Sequence, residues 1–268
     1  MGINLGSTAI SDIKLGANQV NKVYLGSELV WGGVAPLIVK ALKFTSTGAQ
    51  TLGINQSTLG TVSPNFEYST DGQTWTNWDI TTSLPFGNGV DLYIRGSNNV
   101  LAKTSSNYTN FVLSTNSPVY CYGNVMHLYD YTQDLTAFPV DSNSRGLKYL
   151  FANCTALVRP PSLPAITPIN NAYYYMFQNC TSLEFLPEVN FNTVGNQAMS
   201  CMFYGCSRIK MSETQEGEYT NPYTIFTGEG STGTYNMFYG TGGTFQGTPT
   251  GSAGTTSVTL YTSNTIIQ

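Results

Sequence analysis

Charged residues are scarce in this sequence of 268 residues. Only a tenth of the chain is Asp, Glu, Lys or Arg, and eleven basic residues against fifteen acidic ones leave a net charge of −4. Proteins that bind nucleic acid through their surface usually carry a basic patch, which this composition does not supply. We therefore expect no nucleic-acid partner.

Metal-binding patterns are also lacking. His127 is the only histidine, and the five cysteines include no paired CxxC motif. A zinc site needs such pairs or additional histidines, and an odd number of cysteines argues against a closed disulfide framework. We expect neither metal nor cofactor. We interpret Cys154, Cys180 and Cys206 as small buried side chains and assign no role to Cys121 and Cys201. A lone histidine among aromatic residues is more typical of a structural side chain than of a catalyst.

Long apolar runs are missing too. The most apolar stretch, residues 29–39, contains two glycines and a proline and is too short to span a bilayer. The first twenty residues have no basic cluster followed by an apolar core, which a secretory leader would require. We expect no membrane insertion, and a protein made in a cytoplasm and not exported by the usual route.

Motifs of common enzymes do not occur. The sequence has no GxSxG, no phosphate-binding glycine loop and no metal-ligand spacing. Glycan hydrolysis would need a pair of carboxylates held in a rigid frame. We expect no catalytic residues and interpret the chain as not an enzyme. The carboxylates considered for such a pair are Glu213, Glu216 and Glu218 in an acidic insertion, and Asp130 and Asp134 near His127.

Glycine, threonine, serine, asparagine and tyrosine are abundant. The chain has 27 glycines and 18 tyrosines, and no stretch keeps a helical period beyond about three turns. Such a composition favours short strands joined by tight turns. We predict a mainly β fold.

The chain repeats itself every 26 residues between residues 149 and 209. Each copy carries a phenylalanine, a cysteine three residues on and an aliphatic residue three further, as in LFANCTAL, MFQNCTSL and MFYGCSRI. A fixed period of this size is typical of stacked repeats, in which equivalent side chains of successive copies form a shared ladder. The predicted ladder consists of Phe151, Cys154, Leu157, Phe177, Cys180, Leu183, Phe203, Cys206 and Ile209.

The repeat then becomes irregular. An acidic, glycine-rich insertion follows Ile209, and the motif restarts at Asn236 with Thr241 in the place of the cysteine. We interpret this last unit as a degenerate cap, because the exposed end of a repeat stack must be shielded. Residues 257–261 are the best candidate for a closing strand.

A shorter repeat opens the protein. INLG, IKLG and VYLG recur every ten residues, a pattern typical of short strands with glycine turns. Three such strands are marginal alone, so we predict that residues 1–33 form an assembly module whose core is completed by another subunit or a host structure. The alternative is a β-meander packed on the next domain. The predicted docking positions are Ile13, Leu15, Val23, Leu25 and Trp31.

A GGVAP linker at residues 32–36 leads into the middle of the chain, residues 34–118, which continues with short alternating strands. An Asp-Gly turn between two of them is a strong hairpin signal, and the spacing suggests a small antiparallel β-sandwich. Trp75 and Trp78 are three residues apart, so we expect at most one in the core. An exposed tryptophan could stack on a sugar ring, although core or inter-domain packing is the more usual role.

Two stretches resemble known families. The run IKLGANQVNKVYLGSELVW is similar to the N-terminal segment of many bacteriophage virion proteins, fibres and appendages among them. The recurrent Met-Phe-x-Gly/Asn-Cys-Thr/Ser-x-Leu, followed by Pro187 and Val189 after the second copy, resembles the BspA-like leucine-rich-repeat family. The resemblances imply a docking module, a sandwich-like domain and, over residues 119–268, a leucine-rich-repeat-like solenoid with short helical turns. They also imply virion localisation, contacts with other virion proteins and a homo-oligomer, with a trimer favoured.

Three functions were weighed. The first is a phage particle component, on the head or in a tail fibre or appendage, that presents its repeats to a host-surface protein or glycan. The second is a bacterial surface adhesin, which would need an export signal; the third is a glycan-degrading enzyme. We favour the first. Three consecutive tyrosines cannot all be buried in a strand or one turn, so the predicted ligand surface is Tyr173, Tyr174 and Tyr175.

Overall fold

A computed structural model describes residues 39–139, 145–189, 191–228, 232–251 and 256–267, and the backbone of six short strands between residues 4 and 32. The chain forms two compact units, Met1–Val39 and Lys40–Gln268. It is mainly β, which confirms the predicted class. The described helices are α1 (Gln56–Leu59) and one 3-10 turn (Val125–Leu128). None of the described helices has the length and apolar character needed to cross a bilayer.

The first unit consists of three antiparallel strand pairs, as the ten-residue repeat predicts strands there. The predicted docking positions Leu15, Val23, Leu25 and Trp31 fall in these strands, with Val23 opposite Trp31, and Ile13 lies outside the described residues. The strands are β1 (Asn4–Leu5), β2 (Thr8–Ala9), β3 (Lys14–Leu15), β4 (Asn18–Gln19), β5 (Lys22–Leu25) and β6 (Glu28–Gly32).

The second unit begins with eight strands. They are β7 (Leu42–Ser46), β8 (Gln50–Ile54), β9 (Phe66–Ser69), β10 (Thr76–Asn77), β11 (Leu84–Phe86), β12 (Leu92–Gly96), β13 (Phe111–Leu113) and β14 (Val119–Tyr122). All eight take part in two sheets: one has the order β10-β9-β12-β7-β14 and is extended by a later strand, and the other has the order β11-β8-β13. Buried and half-buried residues alternate along β7 and β12, as expected for strands with one face in a core.

Aromatic rings join these two sheets. The ring of Phe44 on β7 meets those of Phe86 and Phe111, on strands of the other sheet, edge to face with centroids 6.2 and 6.0 Å away. Trp78 is 5% exposed and stacks on Phe111 at 6.4 Å. Trp75 is partly exposed, and Arg95 lies 3.8 Å above its ring. As predicted, only one of the two tryptophans is in the core.

The C-terminal half contributes seven strands. They are β15 (Leu157–Arg159), β16 (Phe185–Pro187), β17 (Lys210–Ser212), β18 (Asn221–Phe226), β19 (Gly242–Gly243), β20 (Ser257–Thr262) and β21 (Thr265–Ile267). β15 extends the first sheet by pairing parallel with β14, so the regions on either side of residue 118 share a sheet and one core. The predicted strand at residues 257–261 is confirmed as β20, which pairs with β18 from the insertion.

Four runs of consecutive turns lie between these strands. We call them layers: residues 145–153, 171–179, 197–205 and 232–240. Within a layer, alternate amides donate to the carbonyl three residues back, as Met176 does to Tyr173 at 3.1 Å. The other amides donate to the next layer: Phe151 to Met176, and Phe177 to Met202, at 2.9 and 3.0 Å. Each layer therefore depends on its neighbour for half of its hydrogen bonds.

The turns require left-handed backbone at regular positions. Asn153, Asn179, Gly205 and Gly240 have φ values of 64°, 56°, 73° and 71°. Asparagine and glycine adopt this conformation at the lowest cost. The Gly/Asn position of the repeat motif, immediately before the cysteine or Thr241, is therefore a backbone requirement.

The structure brings the ladder residues together in the core. Successive phenylalanine rings, from Phe151 through Phe177 and Phe203 to Phe238, lie 5.5–5.7 Å apart with planes inclined by 7–16°. Each cysteine thiol donates to the carbonyl of the phenylalanine one layer earlier, as Cys180 does to Phe151 at 3.1 Å. The thiols of Cys154 and Cys206 donate in the same way. The aliphatic members Leu157, Leu183 and Ile209 are fully buried.

The sheets supply the first rung. Phe111 of β13 stands where an earlier layer would place its phenylalanine: its ring is 5.5 Å from that of Phe151, and its amide donates to Leu150. Its carbonyl accepts from the Cys154 thiol at 3.3 Å. The neighbouring Asn110 donates its side-chain amide to the carbonyls of Tyr149 and Ala152. The stack of ladder rings is thus continuous with the aromatic rings packed between the two sheets.

The other end of the stack is covered by the chain itself. The amide of Phe238 donates to Gly247, and that of Asn236 to the hydroxyl of Thr248. Thr241, which replaces the ladder cysteine, donates its hydroxyl to Phe238 in its own layer. These contacts satisfy outward-facing amides of the last layer.

Asn264 ties the C-terminal strands to the layers. It lies between β20 and β21 and is buried. Its Nδ2 donates to the carbonyls of Glu184 and Arg208 at 2.9 and 3.1 Å, and its Oδ1 accepts from the amide of Lys210 at 2.7 Å. One side chain thus connects the segments that follow the second and third layers, a role that no local sequence pattern indicates.

Removing one rung should weaken the whole stack. Phe177→Ala deletes a fully buried ring that stacks on both neighbours, so we expect a loss of about 3–5 kcal/mol in the free energy of unfolding, measured by urea denaturation. Ile166→Ala, at a side chain that is 40% exposed and lies outside the ladder, is the control and should lower the free energy of unfolding by no more than about 1 kcal/mol. Similar small effects for both variants would contradict the ladder.

Candidate functional site

The outward side chains of the layers form a line of tyrosines. Tyr149 and Tyr175 each stand two residues before a ladder phenylalanine, and their rings stack at 5.3 Å with an interplanar angle of 12°. Tyr204 and Tyr239 each follow one, and they stack at 5.0 Å and 22°. Tyr175 and Tyr204 join the two pairs at 5.9 Å. We call these four residues the tyrosine row.

The predicted ligand surface is only partly correct. Tyr174 and Tyr175 are partly exposed, but Tyr173 is 0% exposed and does not face solvent. It stands four residues before Phe177, an inward position, and packs between Phe138 and Phe191 at 5.6 and 5.7 Å. A run of turns sends consecutive side chains in different directions, so three adjacent tyrosines do not share a face.

The stacking limits what the tyrosine row can bind. Sugar rings stack on free aromatic faces, but within the row these faces lie against each other. The row therefore offers ring edges and phenolic hydroxyls, which donate and accept hydrogen bonds. Free faces remain at the last layer, where Tyr239 and Tyr235 are 50% and 55% exposed.

The phenols of this surface stay protonated. Burial, helped by Tyr174, Tyr108 and Cys201, raises the pKa of Tyr149 to about 12. Burial also raises the pKa of Tyr174 and Tyr175 above the usual value for a phenol. At neutral pH these groups are uncharged hydrogen-bond donors.

Two positions of the tyrosine row escaped sequence reasoning. Tyr204 and Tyr239 belong to the tyrosine row through the Phe-Tyr-Gly triplets at residues 203–205 and 238–240. Because the two tyrosines occupy the same place after the ladder phenylalanine, the recurring triplet was an available signal. Lys148 was missed as well: its Nζ lies 4.3 Å from the centroid of the Tyr174 ring, one layer away.

The residues weighed for catalysis are held in local contacts. His127 is buried and its Nε2 lies 2.9 Å from Asp134, which also pairs with Lys40 at 2.8 Å. Asp130 accepts from the amide of Thr132. Glu213, Glu216 and Glu218 are exposed, and Glu218 pairs with Lys210. Within the described residues, no three His, Cys, Asp or Glu side chains gather as a metal site would require.

All five cysteines are free and buried, which the interpretation as small core side chains predicts for Cys154, Cys180 and Cys206. Burial raises the pKa of Cys154 to about 12 and also raises the pKa of Cys121, Cys180 and Cys206. The thiols therefore stay protonated, and the ladder thiols remain hydrogen-bond donors to the phenylalanine carbonyls.

These thiols should make the fold sensitive to alkali. A thiol with a raised pKa contributes stability below pH 9, its unfolded value, and loses it as pH rises toward 12. Cys154→Ala should have a lower free energy of unfolding than the natural chain, and this difference should become smaller by about 1.4 kcal/mol between pH 8 and pH 10. Urea denaturation at both pH values measures it, with Ile166→Ala as a non-titrating control. A constant difference for Cys154→Ala would refute the assignment.

Known proteins were compared with this chain in three ways, by family models, by the sequences of curated proteins and by solved structures. None of the three comparisons found a match. The functional conclusion therefore depends on the geometry of the layers, the tyrosine row and the N-terminal strand pairs.

Proposed function

We propose that this protein is a structural component of a bacteriophage particle, part of the head or of a tail fibre or appendage. It docks through its N-terminal unit and presents its layers to the host surface. In this proposal the layers are a leucine-rich-repeat-like solenoid built on a small β-sandwich. The observation that carries the proposal is the tyrosine row, displayed along a stack whose two ends are both covered.

Three features support a solenoid. The first three layers follow a 26-residue period, each layer donates alternate amides to the next, and equivalent phenylalanine rings stack from Phe111 to Phe238. The insertion between the third and fourth layers leaves their rings 5.5 Å apart. Gly247 and Thr248 then act as the end cap that a repeat stack needs.

The N-terminal unit supports docking. Its strands pair only as hairpins of two, within the part of the chain that is described, and an isolated hairpin is marginal in water. Such a unit gains stability when a partner completes its core. We propose other virion proteins and further copies of this chain as those partners, with a trimer favoured.

The tyrosine row supports attachment to a surface. Tyrosine presents apolar area and a hydroxyl at low entropic cost, and partly exposed rings recur here at each layer. An oligomer would display several copies of the row, so weak individual contacts would add up to strong attachment. A host protein or a glycan is the proposed target.

The proposal is tested on particles and in solution. Antibodies raised against residues 40–268 should label purified phage particles from the producing culture. The full chain should have a solution mass about three times that of one chain, whereas a chain starting at Lys40 should be a folded monomer, measured by light scattering.

Absence of the protein from purified particles would contradict the virion role. The same oligomer with and without the N-terminal unit would place the assembly contact in the layers instead. If both forms are monomers and particles are labelled, the N-terminal unit docks to other virion proteins only.

A further inference from the structure

Positive charge collects at the start of the tyrosine row. The described basic side chains elsewhere are largely neutralised: Lys40, Lys43, Arg95, Arg208 and Lys210 each pair with a carboxylate. Lys103, Arg145 and Lys148 have no ion pair with any described residue. Two hydrogen bonds hold Arg145 beside the backbone of Lys103. The Arg145 amide donates to the Ala102 carbonyl, and the Arg145 Nε donates to the Lys103 carbonyl at 2.9 Å.

Lys148 is the deepest member of this cluster. It is 5% exposed, and its ammonium lies 4.3 and 5.3 Å from the ring centroids of Tyr174 and Tyr149. None of the described oxygen atoms accepts a hydrogen bond from its Nζ. Burial, together with the nearby Arg145 charge, lowers the pKa of Lys148 to about 8. Burial disfavours the charged form of this lysine, and an anion bound next to the ammonium would stabilise that form.

The surrounding rings supply hydrogen bonds and apolar contact. Tyr108 packs against Tyr149 with centroids 4.6 Å apart, so the cluster is bordered by three tyrosines, counting Tyr174. These phenols keep their protons, since burial raises the pKa of each. Ammonium, guanidinium and phenol are all donors, a set that matches the oxygen atoms of one anionic group.

The size and sign of the cluster indicate the ligand class. The chain as a whole carries a charge of −4, so a long polyanion would be repelled by the rest of the surface. An ammonium held against two aromatic rings, with the Arg145 charge nearby, instead suits a single anionic group on an otherwise polar and uncharged molecule. A sugar with a carboxylate or a phosphate has this chemistry.

We propose that Lys148 and Arg145, bordered by Tyr108, Tyr149 and Tyr174, form a binding site for the carboxylate or phosphate group of an acidic surface glycan. This inference rests on the proposed attachment function and names the class of its target. Lys103, beside Arg145, adds long-range attraction, and the tyrosine row extends the contact to neighbouring sugar units.

The test uses the full chain and three fluorescent oligosaccharide probes, with binding followed by anisotropy. The probes are an oligogalactose that ends in a single galacturonate, an oligogalactose that carries a single phosphate, and an unmodified oligogalactose, all of equal length. At least one acidic probe should bind about tenfold more tightly than the neutral one, and the preference should fall as salt is added. The two acidic probes distinguish a carboxylate from a phosphate target.

Matched variants locate the site. Lys148→Met and, independently, Arg145→Gln should each weaken binding of the acidic probe about tenfold. Arg159→Gln is the control: Arg159 is another cation without a described ion pair, lies over Tyr122 instead, and should change affinity less than about twofold. Circular dichroism checks that each variant is folded.

Several results would overturn the site. They are equal binding of acidic and neutral probes, no binding of either acidic probe, and full affinity in both Lys148→Met and Arg145→Gln. Asp141 precedes Arg145 by four residues and lies outside the described residues. Acidic-probe binding that appears only in Asp141→Asn would mean that this carboxylate of the chain fills the site. None of these results affects the antibody labelling of particles. The glycan site can therefore be wrong while the virion role is right, and the virion role can be wrong while the site is right.

Discussion

The hydrogen bonds between layers are the constraint on which the rest of the structure depends. Because only alternate amides bond within a layer, a single layer would leave the others unpaired in the core, at a cost of about 1–3 kcal/mol each. A layer is therefore stable only between two neighbours. Phe111 and Asn110 provide the neighbour at the sheet end, and Gly247 and Thr248 provide it at the other. The sheets and the C-terminal segment are thus required parts of the repeat region rather than additions to it.

The same constraint produces the tyrosine row. Layers joined by backbone bonds repeat at the spacing of stacked rings, so equivalent outward residues are brought face to face. Tyr149 and Tyr175 stack for this reason, and so do Tyr204 and Tyr239. In the third layer Cys201 occupies the place of the outward tyrosine, and the row continues through Tyr204 instead. A rigid row of edges and hydroxyls follows, with a cationic cluster at one end and free ring faces at the other.

The 26-residue period predicts which side chains form the ladder, but it does not predict the direction of the side chains between them. The ladder from Phe151 to Ile209 follows from spacing alone, because equivalent residues must stack. Tyr173 was misplaced because side-chain direction within a run of turns depends on left-handed residues such as Tyr175 and Cys201, whose types do not signal that conformation. Asn264 and the cluster around Lys148 join segments far apart in sequence, and no local pattern marks them. The side chains of the predicted docking residues lie outside the described part of the structure, so their docking role remains a prediction.

The central claim is that sheets and layers fold as one cooperative unit through the shared ring stack. Urea unfolding of Trp31→Phe, followed by tryptophan fluorescence, reports on the sheets, since Trp78 stacks on Phe111. Labelling of the buried Cys206 thiol, read by peptide mass spectrometry, reports on the third layer in the same samples. The account predicts that the two transitions coincide. Exposure of Cys206 at a clearly lower urea concentration, with the Trp78 signal still native, would contradict it.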